Sequence, residues 1–448
     1  MSVDIAELVA GLAAAARPGE QIEAYASRGS STEVRVWRGE VEHFVSAASE
    51  GVGVRVVAGG RTGFAYAGTL EPDAVAEVLA EARENVAYGT ADPDAGVAEP
   101  DGVEPVDIPL WSDELDRFPT ADKIDLALRL EEMVLGLDPR IRVDDANYID
   151  GGGEMAVATS TGIARHRRGN SCHVSVSTLA DDGDETQTGF GYSIGDHPGE
   201  FDLDRAARDA VDRATRLLGA SKPPSERTTV VFDPYVTAQL LSIVGSTMNG
   251  ESVVRGRSLF ADRLGELVAS PLVTLIDDPT DVRAYTATDV DGEGLATRRN
   301  VLIDGGRLDR FVHSTYSARR AGTRSTGNGV RGGYGSTPGT GCLALQLVPG
   351  TRDRDSLIAD VDHGVLVQSL SGVHSGVNTV SGDMSVGATG MMIRGGAIAE
   401  PIREFTVAST IQRLLTDVVE VGGDVEWLPS RAAGVSLVVS GISVSGTS

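Results

Sequence analysis

The segment 239–260 reads QLLSIVGSTMNGESVVRGRSLF: an apolar lead-in, glycines at 245 and 250, and a basic, polar tail. A helix of this kind can carry a hydrolytic metal site. Zinc hydrolysis needs three protein ligands, an open coordination position and a general base near the bound water. Histidines spaced along a helix next to a glutamate are its usual sequence trace. Residues 239–250 contain neither a histidine nor an acidic residue, so this helix lacks the side chains for metal hydrolysis.

The histidines elsewhere offer one further metal candidate. The chain has seven, at 43, 166, 173, 197, 313, 363 and 374, and none forms an HExxH-like cluster. His363 and His374 flank a predicted strand, where they either meet in space or lie apart as polar turn residues. Both interpretations stay open at this point.

The segment 372–390, GVHSGVNTVSGDMSVGATG, combines a histidine with hydroxyl side chains. His374 can act as a base for a serine or threonine nucleophile: Ser375, Thr379 or Ser381. No GxSxG elbow accompanies them. We therefore favour a tight, turn-rich segment at the border of a cavity, with Asn378 and Asp383 fixing the turns.

The segment 326–341, TGNGVRGGYGSTPGTG, is rich in glycine and lets a backbone approach a ligand closely. It is not a phosphate loop, because no GK[ST] follows it. It is either a mobile surface loop or a lid or wall of a peptide groove at a subunit interface.

Two more groups of charged residues have a structural and a chemical interpretation. Asp277 and Asp278 precede Pro279, so a turn at a strand end is favoured over an acid–base pair. Arg257, Arg298 and Arg299 either pair within the chain or bind a carboxylate of a peptide or partner.

Composition limits the function classes. The 448 residues carry a formal net charge of -26, which disfavours nucleic acid and anionic membranes as partners. No segment reaches the roughly 18 apolar residues of a membrane span. The N-terminus lacks the pattern of a signal peptide. The two cysteines, Cys172 and Cys342, match no metal or redox spacing and are expected to be buried free thiols. We expect a cytoplasmic protein.

The hydrophobic pattern predicts an α+β fold with two domains. Residues 32–68 alternate between apolar and polar positions, which indicates antiparallel strands. Sequential strands without regular helices between them also argue against a parallel sheet in the second half. The N-terminal domain (1–220) is predicted as an antiparallel sheet flanked by helices. A linker (221–229) and a C-terminal domain (230–448) dominated by antiparallel sheet or barrel follow. The main predicted helices lie at 71–89, 120–137, 202–220, 235–249 and 404–420.

Long phrases of the chain resemble the TldD/TldE (PmbA) family of zinc-dependent peptidases. The resemblance covers nearly the whole chain. It is carried by TEVRVWRGEVEHFVSAASEGVGVRVVAGGRTGFAYAG (32–68), GRSLFADRLGELVASPLVTLIDDPT (256–280), DGEGLATRRNVLIDGGRL (291–308) and SGVNTVSGDMSVGATGMMIRGGAIAEPIREFTVAST (375–410).

The resemblance also implies which of two subunit types this chain is. TldD-type chains carry HExxxH on the helix and a late cysteine as a further zinc ligand. Aligned on Gly245 and Gly250, Leu241 and Ser246 stand at the histidine positions and Ser242 at the glutamate position. The late cysteine is absent as well. The resemblance thus implies a TldE/PmbA-like chain that has no catalytic or metal residues of its own.

As implied by the resemblance, a TldD-like partner supplies zinc, and the heterodimer cleaves unstructured peptides or matures ribosomally made peptides. Candidates for contact with substrate or partner are Arg257, Asn328, Tyr334, His374, Asn378 and Asp383. The alternative is a peptide-binding scaffold homodimer without protease activity. A third hypothesis is a free-standing hydrolase that uses ligands such as His363 and His374.

Overall fold

The structure is a computed structural model that describes residues 3–446. Within these residues the α-helices are α1 Ile5–Ala14, α2 Pro72–Asn85, α3 Asp113–Asp116, α4 Thr120–Leu137, α5 Leu203–Thr215, α6 Pro234–Thr247, α7 Gly250–Val254, α8 Thr315–Ala321, α9 Arg354–Ala359, α10 Val373–Gly376 and α11 Ile411–Thr416. Two single 3-10 turns occur at Val86–Tyr88 and Pro198–Glu200.

The strands of the first half are long, and those of the second half are mostly short. They are β1 Glu20–Trp37, β2 Glu40–Ala58, β3 Arg61–Ala67, β4 Ile141–Thr159, β5 Ala164–Asp182, β6 Glu185–Gly195, β7 Glu226–Phe232, β8 Leu275–Asp277, β9 Asn300–Asp304, β10 Arg307–Leu308, β11 Gly329–Val330, β12 Gly339–Thr340, β13 Leu345–Leu347, β14 His363–Ser371, β15 Asp383–Arg394, β16 Ala397–Thr410, β17 Val418–Val421, β18 Glu426–Trp427, β19 Ala433–Gly434 and β20 Leu437–Ser445.

The N-terminal sheet has six strands in the order β3-β2-β1-β4-β5-β6, and every neighbouring pair is antiparallel. Side chains alternate between its two faces because the repeat of a strand is two residues. One face, which carries Ala24, Tyr148 and Val174, packs under α1, α2, α4 and α5. The other face carries Glu23, Tyr25 and the odd-numbered residues of β5, and it lies against the C-terminal half of the chain.

The C-terminal half is built around a closed sheet. The strands follow the order β16-β15-β14-β7-β20, and a further pairing between β16 and β20 closes them into a five-stranded barrel. The β7–β14 pair is parallel, whereas the other pairs of the barrel are antiparallel. The predicted α+β fold with a C-terminal half dominated by antiparallel sheet and barrel is confirmed.

One predicted helix is wrong. Residues 404–410 belong to strand β16, 411–416 form the short helix α11, and 418–421 form strand β17. The apolar spacing of Ile411, Leu414 and Leu415 is helical for little more than one turn. Before it, Phe405 and Val407 are buried as residues of a strand that pairs with both β15 and β20.

The connection between the two halves is shorter than the predicted linker 221–229, because part of that linker belongs to a strand. Residues 226–229 of the predicted linker lie in β7, which is a central strand of the barrel. None of the helices in the described residues is long and apolar enough to cross a membrane.

Candidate functional site

Helix α6, predicted at 235–249, begins at Pro234 and ends at Thr247. The Asp233 carboxylate caps its first turn by accepting a hydrogen bond of 3.1 Å from the backbone NH of Tyr235. Proline is favoured at the first position of a helix, where no NH is needed. Leu240, Leu241 and Val244 are buried in the core of the C-terminal half.

The two glycines of the α6 region are explained by close packing. A Cβ on Gly245 would lie 2.3 Å from Cδ1 of Leu345, so the helix approaches strand β13 closely. A Cβ on Gly250 would lie 2.2 Å from Nδ1 of the buried His313 and 2.7 Å from the carbonyl oxygen of Val312. The spacing of these glycines therefore reflects how the helix fits its neighbours.

The side chains at the three inferred ligand and base positions provide no set of metal ligands. Leu241 is buried in the core, 3% exposed, and has no donor atom for a metal. The Ser242 hydroxyl donates to the carbonyl of Ala238 at 3.0 Å, and the Ser246 hydroxyl donates to that of Ile243 at 2.6 Å. This set does not fit a zinc ion.

No group of three or more His, Cys, Asp or Glu side chains placed to hold a metal ion occurs among residues 3–446.

A cavity of about 830 Å³ lies along α6. It is bounded by α6, by strands β5 and β6 of the N-terminal sheet, by α10, and by the segment after β18. Its main lining residues are Ser175, Ser177, Phe190, Tyr192, Tyr235, Gln239, Ser242, Ser246, His374 and Leu428. Of the candidates predicted from the sequence, the structure brings Ser242, Ser246 and His374 together here.

Arg213 contacts two aromatic residues that line this cavity, Phe190 and Tyr235, and holds their rings in place. The Arg213 guanidinium lies over the ring of Phe190 at 4.2 Å and over that of Tyr235 at 6.0 Å. It donates to the carbonyl of Phe190 at 3.0 Å and lies 3.8 Å from Asp233. Cation–π contacts and this hydrogen bond fix the two rings.

Two polar groups that line the cavity have no partner within the described chain. Both the Gln239 Oε1 and the Tyr192 hydroxyl are buried without a hydrogen bond. Burial raises the pKa of Tyr192, so its hydroxyl is neutral and can donate. A mostly apolar cavity with a few unsatisfied polar groups is a typical ligand site.

Other candidates lie outside this cavity. The Asn378 side chain accepts from the backbone NH groups of Val380 and Ser381, at 2.9 and 3.1 Å. Asp383 accepts from the Ser381 hydroxyl at 2.7 Å. Both residues shape the turn after α10. Arg257 is exposed after α7, and no side-chain contact ties it to the cavity.

Asn328 and Asp277 are buried and form one structural network. The Asn328 amide donates to Asp277 at 2.7 Å, and Asp277 also accepts from the backbone NH groups of Leu343 and Ala344, at 2.8 and 2.7 Å. Burial raises the pKa of Asp277. The strand-end interpretation of Asp277 is confirmed, because it lies at the end of β8. Neither residue reaches a cavity wall.

The glycine-rich segment 326–341 is packed against the N-terminal sheet. Tyr334 contacts the apolar cluster of Tyr25, Met155 and Val157. Arg331 forms a buried ion pair with Glu23 of β1, and Glu23 also pairs with Arg55 at 2.8 Å. The two arginines outweigh the effect of burial and lower the pKa of Glu23. The segment therefore joins the two halves of the chain.

His363 and His374 do not meet. His363 begins β14 and lies 2.7 Å from Glu226, whereas His374 follows the other end of this strand. The nine residues of β14 separate them by roughly 26 Å at the usual strand rise. The hypothesis of a metal site built from these two histidines is wrong.

The remaining predicted pairs are intramolecular. Arg298 donates to Asp101 at 2.5 Å, and Arg299 lies 3.9 Å from Asp278. Both cysteines are free and buried, as expected.

The sequence did not indicate the aromatic residues of the cavity or the arginine that contacts them. Phe190 and Tyr192 lie two residues apart on one face of β6, and Arg213 lies on α5. These positions come together only when the β5–β6 edge of the N-terminal sheet packs on α6. No local pattern in the sequence marks them.

Comparison with known proteins gives matches along most of the chain. Residues 22–86 match the PmbA/TldA metallopeptidase domain 1, residues 113–218 the central domain, and residues 225–446 the C-terminal domain of the same family.

Two relatives and one solved structure are similar to this chain over most of its length. The chain is 26% identical over 434 residues to the metalloprotease PmbA of Escherichia coli O157:H7, covering 95% of this chain and 92% of that protein. It is 26% identical over 389 residues to a metalloprotease TldD homolog of Buchnera aphidicola subsp. Acyrthosiphon pisum (strain APS), covering 84% and 80%. The crystal structure of TldE from Thermococcus kodakarensis matches with a TM-score of 0.89 and 23% identity, over 95% of this chain and 97% of that one. This structural match shows a shared fold.

Proposed function

The chain belongs to the PmbA/TldD family of metallopeptidases, and we propose that within it the chain is the TldE/PmbA-like subunit that holds peptide without binding zinc. A TldD-like subunit supplies the zinc ion and the general base. The heterodimer cleaves unstructured peptides or matures ribosomally made peptides. The wall that this chain contributes is the cavity along α6.

One observation carries the proposal: a cavity of about 830 Å³ lies along α6, while the side chains beside it cannot bind a metal. Leu241 faces the core, and the hydroxyls of Ser242 and Ser246 are bonded to carbonyls of their own helix. Zinc hydrolysis by this chain alone would need three ligands and a base at this place. A peptidase of this family with such a chain requires another source of metal.

The residues of this chain would act on the peptide by binding and orienting it. Tyr235 and the two β6 aromatics give an apolar wall for side chains, and Arg213 holds that wall in place. Gln239 and Tyr192 would take hydrogen bonds of the peptide backbone. His374, at the rim on α10, adds a polar contact.

The acidity of the chain supports a peptide rather than a nucleic acid as ligand. A net charge of -26 repels phosphate backbones. The two buried free thiols support a reducing, cytoplasmic location.

The test is to purify the chain alone and together with a TldD-like subunit that carries HExxxH and the late cysteine. Elemental analysis measures zinc, and an unfolded casein-like protein serves as substrate. We expect no stoichiometric zinc and no cleavage with the chain alone, and both with the pair. Stoichiometric zinc or strong cleavage by the solitary chain would overturn the proposal.

A matched pair of variants tests the role of the cavity. Ser246→Trp fills the cavity from α6, whereas Ser356→Trp places the same ring on the exposed surface of α9. In the assembled pair, Ser246→Trp should slow cleavage at unchanged zinc content, and Ser356→Trp should not. Equal rates for the two variants would show that peptide does not enter this cavity.

A further inference from the structure

A second groove, of about 760 Å³, lies between the N-terminal sheet and the loop 282–287 of the C-terminal half. Its floor is the sheet face that also borders the α6 cavity. The floor residues are Tyr25, Ser27, Gly29, Gly151, Gly153, Met155, Arg167, Gly169 and Ser171. Small residues leave this part of the sheet flat, which suits an extended chain.

The groove and the α6 cavity follow each other along one strand. Gly169 and Ser171 of β5 line the groove, and Ser175 and Ser177 of the same strand line the cavity. Between them stands His173, whose ring contacts the hydroxyl of Tyr285 at 3.3 Å. Burial lowers the pKa of His173, so it is neutral. The distance from residue 167 to residue 177 is about 33 Å at the strand rise, which matches roughly ten residues of extended peptide.

Arg167 carries an unbalanced positive charge in this groove. It forms no ion pair with any residue between 3 and 446, and its Nε is buried without an acceptor. A buried donor without a partner is destabilising, so an anionic ligand that accepts from it would be favoured.

The carboxylates that also line the groove do not neutralise Arg167. Glu154 is bound to Arg28 and His166, on the opposite face of the sheet. Asp196 and Glu200 follow the end of β6, which pairs with Cys172. Five residues of β5 separate that point from Arg167, or about 16 Å.

The groove is closed at the end where Arg167 stands. Tyr334 packs on Tyr25 and Met155, and the Arg331 guanidinium lies 4.7 Å from the centre of the Tyr25 ring. A closed end with a free cation is suited to a chain terminus. If the carboxylate came from an internal side chain of the peptide, the rest of the peptide would have to continue past this closed end.

We propose that this groove binds the C-terminal end of an extended peptide, with the terminal carboxylate on Arg167 and the preceding residues along β5 towards the α6 cavity. The inference rests on the proposed function in that both place peptide on this face of the N-terminal sheet. Charge-assisted hydrogen bonds between arginine and a carboxylate are short and geometrically specific. The substrate class is therefore an unstructured peptide with a free C-terminus.

The test uses the isolated full chain and a decapeptide of alanine, serine and one phenylalanine with an N-terminal fluorophore. The peptide is prepared as the free acid and as the C-terminal amide, and binding is measured by fluorescence anisotropy. The acid should bind at least about tenfold more tightly, which corresponds to 1.4 kcal/mol. Arg167→Gln should bind both forms equally, at the level of the amide. The control Arg129→Gln, on the exposed surface of α4, should keep the full preference.

Two additions make each outcome decisive. Arg167→Lys keeps the charge and should keep a preference for the acid, which also covers the case that Arg167→Gln does not fold. An amidated peptide with one internal glutamate should bind like the plain amide. Equal binding of acid and amide, no binding of either, or tight binding of the internal glutamate peptide would overturn the proposal. The assay needs neither partner nor zinc, so its failure is separate from failure of the heterodimer proposal.

Discussion

Glu23→Gln should destabilise the junction between the two halves of the chain. One oxygen of Glu23 accepts from Arg331 and the other accepts from Arg55. The side chains are 1%, 2% and 9% exposed for Glu23, Arg331 and Arg55. Glutamine replaces one acceptor by a donor, so one guanidinium loses its partner in a buried site. Breaking a buried ion pair costs about 3–5 kcal/mol. Because the Glu293 charge also acts on Arg55, we expect the lower end, about 3 kcal/mol.

Urea denaturation followed by tryptophan fluorescence measures this loss, and trypsin cleavage near Arg331 reports whether the glycine-rich segment is released. The control is Glu50→Gln, which removes a half-exposed pair with Arg28 at 2.9 Å and leaves Arg28 its second partner, Glu154. Exposed pairs contribute at most about 1 kcal/mol. If the two variants differ by less than about 1 kcal/mol, the buried cluster does not hold the two halves together. Unchanged trypsin resistance of Glu23→Gln would contradict the same reasoning.

Three more predictions follow from packing and burial. Gly250→Ala places its Cβ 2.2 Å from a buried histidine ring and should cost about 1–3 kcal/mol, whereas Gly11→Ala, in open space on α1, should stabilise by about 0.5–1 kcal/mol in thermal melts. Burial and a neighbouring carboxylate raise the pKa of Asp291 to about 7, so the folded state keeps a proton that the unfolded state releases near pH 4. The unfolding free energy should therefore fall between about pH 4 and 7, and Asp291→Asn should remove that part of the slope; equal slopes would refute this. Burial raises the pKa of Cys172 to about 12, and Cys342 is buried as well. A thiol reagent should label both only in denaturant, and fast labelling of the native protein would count against the packing described.

The elements whose signal is local were predictable from the sequence. Residues 32–68 form β1 to β3 because their alternation is sustained over many residues, and α4 occupies 120–137 because its apolar stripe has helical spacing throughout. The segment 404–420 contains only a short helical pattern, and two partner strands determine its first part. Barrel closure is a long-range effect that no window of the sequence contains.

The site was predictable in part, and the limit has a physical cause. The sequence identified α6 and the segment around His374, and both lie at the α6 cavity. It did not indicate that Leu241 faces the core and Ser242 the cavity, because that depends on where the helix packs. Arg167 was missed because its isolation appears only when Tyr25, Met155 and the loop 282–287 surround it.

The structure separates two requirements that a peptidase site normally combines. Shape depends on small residues at close contacts: Gly245 against Leu345, and Gly250 against His313. Chemistry depends on specific atoms, and Leu241, Ser242 and Ser246 do not supply them. Substituting histidines at these positions would not rebuild a metal site, because Leu241 points into a packed core where a ring nitrogen would be buried without a partner. Packing and side chains along α6 thus both lack a set of metal ligands, and this is the physical basis of our proposal that a second subunit supplies catalysis.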